Sequence, residues 1–188
     1  MMNSIIKLDK YLFGLINNKW HNSFFDAIMP FIRNSMFWIP LYLFLFVFLI
    51  MNFEKNKWWW ILFFSIIPIF TDFVSSDIIK NSFFRLRPCN DPSMENITRF
   101  LLSYRPQSSS FTSSHATNHF ALATFIYYTF KFKIGKWAKL FFIWAGLICY
   151  AQIYVGVHFP FDVIAGGLIG FSIGYIISTF FNNKFALS

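Results

Sequence analysis

The sequence predicts an all-α integral membrane helical bundle of about five transmembrane helices, preceded by an N-terminal interfacial amphipathic helix. Three observations lead there. Of 188 residues, 56% are hydrophobic, 23% aromatic and only 13% charged, about half the charged share of an ordinary soluble domain. The 29 Phe fall in long runs with neither a period of two nor a heptad, the pattern of helices apolar on every side. Backbone amides in lipid must also be satisfied within the chain, which leaves helices as the economical form for such runs.

The segment 4–20 sets Ile5, Leu8, Leu12, Leu15 and Ile16 near helical spacing, with Lys7, Lys10 and Asn17 elsewhere. That suits a helix in the headgroup plane, so 1–35 is assigned as an interfacial segment. It lacks the basic start, apolar core and small-residue cleavage site of a secretory signal, and no cleavage is expected. Apolar spans follow at 36–51, 58–79, 116–130, 137–155 and 163–181. A crossing needs roughly 17 to 25 residues, so the first and third must borrow from their flanks. Trp58, Trp59 and Trp60 fit an aromatic belt at one interface.

Lys55 and Lys57 sit in one connection, and Lys131, Lys133, Lys136 and Lys139 surround another. Alternating topology puts both on one face, which the excess of lysine marks as cytoplasmic. The net charge of +8 is scattered over membrane-flanking loops, which suits anionic headgroups and argues against a nucleic-acid partner. Cys89 and Cys149 show no metal-ligand spacing. With no internal repeat, low-complexity tract or boundary, 1–188 is expected to be one domain, with 80–115 and 151–162 as its site-bearing loops.

Three polar stretches interrupt this apolar chain: Lys80 with Arg87 and Pro88; Thr112, Ser113, Ser114 and His115; and Gln152 followed by His158 and Asp162. A phosphate ester needs cations that stay charged, and a guanidinium fork bonds two oxygens at once. Lys80 and Arg87 meet that need, or merely snorkel at a membrane edge. Ser113 suits an N-cap, leaving the amides of Ser114 and His115 to face an anion along the helix dipole, or simply closing a helix end. His158 and Asp162, four apart across Pro160, suit a carboxylate that fixes the tautomer of a nucleophilic imidazole, or a structural pair.

In that order the stretches resemble the type-2 phosphatidic acid phosphatase family of integral membrane lipid phosphatases, whose pattern is Lys-x6-Arg-Pro, Pro-Ser-Gly-His, then Ser-Arg-x5-His-x3-Asp. The resemblance covers about residues 70 to 170. It implies that Lys80, Arg87, Ser113, Ser114 and the side chain at 152 bind the phosphoryl group. His158 would attack phosphorus, His115 would protonate the departing lipid oxygen, and Asp162 would hold His158. It implies no metal and no cofactor, a lipid phosphate or diphosphate as substrate, and a bacterial inner membrane with the site facing the periplasm.

The chain departs from that pattern at Thr112, Ser114, Ala151 and Gln152. Gln152 matters most, since it removes a full charge whose hydrogen bond is worth roughly 1.5 to 3 kcal/mol. Arg85, Arg99 or Arg105, from the long loop, is the candidate substitute, and a non-catalytic lipid-phosphate binder is the alternative reading. A phosphate transporter would want paired polar residues through the whole membrane depth, and the first and fourth spans offer few. His119, one turn from His115, is expected to pack rather than react. Asp72 or Asp77 is expected to hold Lys80 or line a wet crevice, and His21 to lie at the surface.

Overall fold

The structure is a computed structural model describing residues 2–188, with side chains from residue 4. Helix α1 (Met2–Gly14) runs into a wider π turn, Leu15–Lys19. Helix α2 (Ser23–Ile32) begins where Asn22 accepts from the Phe25 amide at 2.9 Å. Helix α3 (Ile39–Asn52) is extended by a 3₁₀ turn, Ser35–Trp38. Helix α4 (Lys57–Asp72) continues through a π stretch, Phe73–Ile79, to a last turn at Lys80–Ser82. After a long loop come α5 (Ser114–Ile134), α6 (Leu140–Tyr154) and α7 (Pro160–Phe185).

Among the described residues, four continuous stretches are long and apolar enough to cross a membrane. One of them, Ser114–Tyr154, has 41 residues and folds back at Gly135, where φ is +56°; Ser114 at its start and Gln152 near its end line one cavity. With that stretch taken as two helices across its fold-back, α5 and α6, the apolar stretches come to about five, and the protein is a multi-pass membrane protein. The two short spans borrow as their lengths required: α5 has 21 residues, and the 3₁₀ turn brings the α3 stretch to 18.

Helix α5 is the centre of the bundle, buried on most sides from Ala116 to Phe130. It meets α7 backbone to backbone. A Cβ added at Gly166, Gly170 or Gly174 would lie 2.6, 2.2 or 2.4 Å from the carbonyl oxygens of Ser113, Thr117 and Ala121. Lipid supplies no hydrophobic drive between helices, so contact this close is what holds the pair. Toward the lysine-rich end Trp60 stacks between Phe64 and Phe130, both at 4.9 Å, and donates to Thr129. Trp58 and Trp59 are exposed as a belt requires, but Trp60 is core.

The two ends differ. At one, Ser188 accepts from the amides of Glu54 and Lys55, and Phe53 packs on Phe132, so both lysine-bearing turns and the C-terminus gather there. At the other, loop 83–113 and residues 155–159 are overlaid by the N-terminal segment. That segment does more than lie in a headgroup plane. Asp9 is buried and accepts from Arg85 and the Phe161 amide, Lys10 pairs with Asp91 at 2.6 Å, and Asn17 bonds the backbone of Arg99 and Tyr154. Such inward polar contacts are invisible in an amphipathic period.

Candidate active site

At the end covered by the N-terminal segment lies a cavity of about 220 Å³. Its wall takes Lys80 from the end of the α4 rod, Arg87 from the loop, Ser114 and His115 from the start of α5, and Gln152 and His158 from the end of α6 and just beyond. Six of the eight predicted site residues thus meet around one space.

Lys80 donates to Ser114 Oγ at 2.5 Å and to Ser76 Oγ at 3.4 Å. Neither predicted carboxylate holds it directly. Asp72 is on the cavity wall and accepts from Ser76, while the Asp77 carbonyl takes Asn81. Pro88 starts a 3₁₀ turn that fixes Arg87 in extended backbone. Arg87 then donates to Ser108 and to the Val157 carbonyl, and its Nη1 lies 3.0 Å from His158 Nε2.

That last contact fixes a proton. A guanidinium has only donors, so Nε2 of His158 must accept, and the neutral ring carries its hydrogen on Nδ1. Burial, joined by the charges of Arg87 and Lys80 and opposed by the upward pull of Asp162, brings the His158 pKa down to about 4. The imidazole is neutral at physiological pH, with its lone pair on the cavity side.

The expected direct hydrogen bond from His158 to Asp162 is replaced by a longer arrangement. Nδ1 stands 3.8 Å from Asp162 Oδ2, and Ser110 Oγ sits 3.5 Å from Nδ1 while donating to that same oxygen at 2.5 Å. Asp162 Oδ2 also accepts from the Phe159 amide, and Oδ1 from Arg85 at 2.6 Å, so both lone pairs of Oδ2, the oxygen nearer His158, are occupied. The carboxylate acts on His158 through charge and through Ser110.

Ser113 is the N-cap, accepting from the Ala116 amide at 3.4 Å. It is buried, its own amide donates to the Asp162 carbonyl at 3.1 Å, and the cavity wall is built from Ser114 in its place. With its carbonyl packed close to Gly166 and its amide on Asp162, Ser113 joins the second motif to the third. His119 packs as expected, donating to the His115 carbonyl at 2.8 Å and meeting Trp144 edge-on at 5.1 Å. Cys89 and Cys149 are unpaired.

None of the three arginines expected to restore the charge missing at Gln152 does so. Arg85 is taken by Asp9 and Asp162, Arg99 by Asp26, and Arg105 by the Cys89 carbonyl. Instead Arg33, at the end of α2, enters the cavity and donates from Nε to Gln152 Oε1 at 3.3 Å. Nothing local in the sequence marks Arg33. Ser110 had a faint signal in the run Ser108, Ser109, Ser110 just before the second motif.

Known proteins resemble this chain in sequence and in fold. A lipid A 4'-phosphatase of Bacteroides thetaiotaomicron is 29% identical over 163 residues, covering 83% of this chain and 69% of that protein. An undecaprenyl-diphosphatase of Sulfolobus acidocaldarius is 36% identical over 104 residues, covering 55% of this chain and 47% of that protein. The crystal structure of a transmembrane PAP2-type phosphatidylglycerolphosphate phosphatase from Bacillus subtilis superposes with a TM-score of 0.70 at 20% identity, over 97% of this chain and 88% of that one. The sequence model of the PAP2 superfamily matches residues 58–186, which hold all three motifs, and this chain therefore belongs to the PAP2 superfamily.

Proposed function

We propose that this PAP2-superfamily phosphatase removes phosphate from a membrane lipid phosphate or diphosphate through a phosphohistidine on His158. The observation that carries the mechanism is the Arg87 donation to His158 Nε2, which leaves an unprotonated nitrogen facing a cationic cavity. Substrate phosphate would take over the Arg87 hydrogen bonds and lie beside Lys80 and the Ser114 end of α5.

Nε2 then attacks phosphorus. A P–N bond forms, the P–O bond to the lipid breaks, and His115 gives its proton to the departing oxygen. Water next attacks the phosphohistidine, returns a proton to His115 and releases inorganic phosphate with His158 free. Asp162 and Ser110 stabilise the positive charge on the ring while phosphorus is attached. Lipid A, undecaprenyl diphosphate, phosphatidic acid and phosphatidylglycerol phosphate all present the same group to these residues. The relatives named above act on three different lipids, so the class is the conclusion.

The location that fits is a bacterial inner membrane with the cavity toward the periplasm. Lys55, Lys57 and the lysines of the α5–α6 turn lie at the opposite end, as cytoplasmic loops do.

Phosphate release from a panel of these lipids, with purified protein in detergent and with a chelator present or absent, tests the reading. Turnover by the wild type that persists with chelator and falls at least about 10³-fold in His158→Ala supports it. Lipid-phosphate binding with no turnover of any lipid would make the protein a binder.

A further inference from the structure

We infer that Arg33 is the third phosphoryl-binding cation of this site, standing in for the arginine that the family pattern places at position 152. The inference rests on reading the cavity as a phosphoryl site. It concerns a residue outside the 58–186 stretch that the family sequence matches.

Three observations converge on it. First, Arg33 Nε is held by Gln152 Oε1 at 3.3 Å, and no other hydrogen bond or ion pair joins the Arg33 side chain to the described residues. Its two Nη groups are left on a cavity wall shared with Lys80, Arg87 and His158. The other arginines in this half of the protein, apart from Arg87, are committed to carboxylates or a carbonyl.

Second, that wall carries three fixed cations against the single carboxylate of Asp72. Unbalanced charge in a partly desolvated space is costly until an anion fills it. Two Nη donors on one planar fork suit two oxygens of a tetrahedral phosphate.

Third, the pair is complementary in sign. An arginine at 152 would repel Arg33, whereas the glutamine carbonyl accepts from it. Gln152 is fully buried and its Nε2 has no partner, so the amide positions Arg33 with one end and keeps a donor for substrate at the other. The register is fixed from the same helix end: Tyr154, two residues beyond Gln152, donates to Asp26 of α2 at 2.6 Å and accepts from the Asn22 amide at 3.2 Å.

The test uses the full chain in detergent, with orthovanadate as the phosphate-like probe and a lipid phosphate as substrate. Arg33→Gln is expected to weaken vanadate inhibition and kcat/KM by about 10- to 100-fold, the range for one lost charged hydrogen bond, with its Tm near that of the wild type. Arg33→Lys should fall between the two. The double variant Arg33→Gln with Gln152→Arg, which returns the charge to the family position, should recover most of the loss.

Unchanged vanadate affinity in Arg33→Gln, or a double variant no better than Arg33→Gln, would overturn the inference. If Arg33→Gln does not fold, Arg33→Lys decides, since wild-type affinity there would rule out a two-pronged hold. If the wild type turns over no lipid, thermal stabilisation by vanadate still discriminates. Stabilisation lost in the variant keeps Arg33 as an anion ligand while the catalytic reading fails, and equal stabilisation discards Arg33.

Discussion

The proton inventory of His158 sets the behaviour of the site with pH. Its pKa of about 4 in the folded protein lies below the ordinary value near 6.5. Above pH 6.5 neither the folded nor the unfolded chain is protonated there, and nothing is lost. Between 6.5 and 4 the unfolded chain takes up a proton that the folded chain resists, so stability falls, by ~3 kcal/mol once the pH is below 4. His158→Gln should remove that part of the acid destabilisation, read as the difference in Tm between pH 7 and pH 4. The acid limb of kcat/KM should fall near 4, since protonation of Nε2 abolishes the nucleophile; a limb at 6.5 would mean that His158 is solvated. Ser110 is the second residue to test. Ser110→Ala removes a buried hydrogen bond to a carboxylate, a loss of roughly 1.5 to 3 kcal/mol. It should appear mainly in kcat, because the bond steadies the ring rather than the substrate. His158 was legible in the sequence because its carboxylate lies four residues away. Ser110 reaches Asp162 across 52 positions, and no spacing rule finds such a pair.

Among the helices, the contact between α5 and α7 ties the second motif to the third. Ser113 caps α5 and donates to the Asp162 carbonyl, and Gly166, Gly170 and Gly174 let the two backbones come this close. Gly170→Ala would put a methyl 2.2 Å from the Thr117 carbonyl oxygen, so one helix must move. The expected cost is about 1–3 kcal/mol from overpacking, together with a fall in kcat as His115 and His158 separate. Gly146→Ala on α6 meets nothing within 4 Å and should leave both Tm and activity unchanged. The helices were readable because an apolar run in lipid has one economical form. Their pairing was not, since a glycine in such a run carries no hydropathy signal of which neighbour it faces.

Over the whole molecule, the site is completed by chain that precedes the motifs. Residues 2–33 and loop 83–113 form a rim over one end of the bundle, and Asn17 is a buried polar link between them, as is Asp9 through Arg85. Its amide donates to the carbonyls of Arg99 and Tyr154 at 2.8 and 2.7 Å, and its oxygen accepts from the Arg99 amide at 2.7 Å. Read as one face of an interfacial helix, Asn17 looked like a solvated position, because its partners lie 82 and 137 residues away. Asn17→Ala leaves three backbone groups without partners, each worth about 1 kcal/mol or more when buried, so a loss of about 3 kcal/mol is expected. Asn17→Asp should be at least as harmful, since a carboxylate would then face two carbonyl oxygens. Asn18→Ala, which removes one exposed bond to the Ile97 carbonyl, should cost under about 0.5 kcal/mol. Because Tyr154 and Arg99 also hold Asp26 of α2, loosening Asn17 should carry through to Arg33 and weaken vanadate inhibition together with stability. If Asn17→Ala unfolds no earlier than Asn18→Ala, the rim is not tied at this point, and the position of Arg33 must be set by the Tyr154 and Asp26 pair alone.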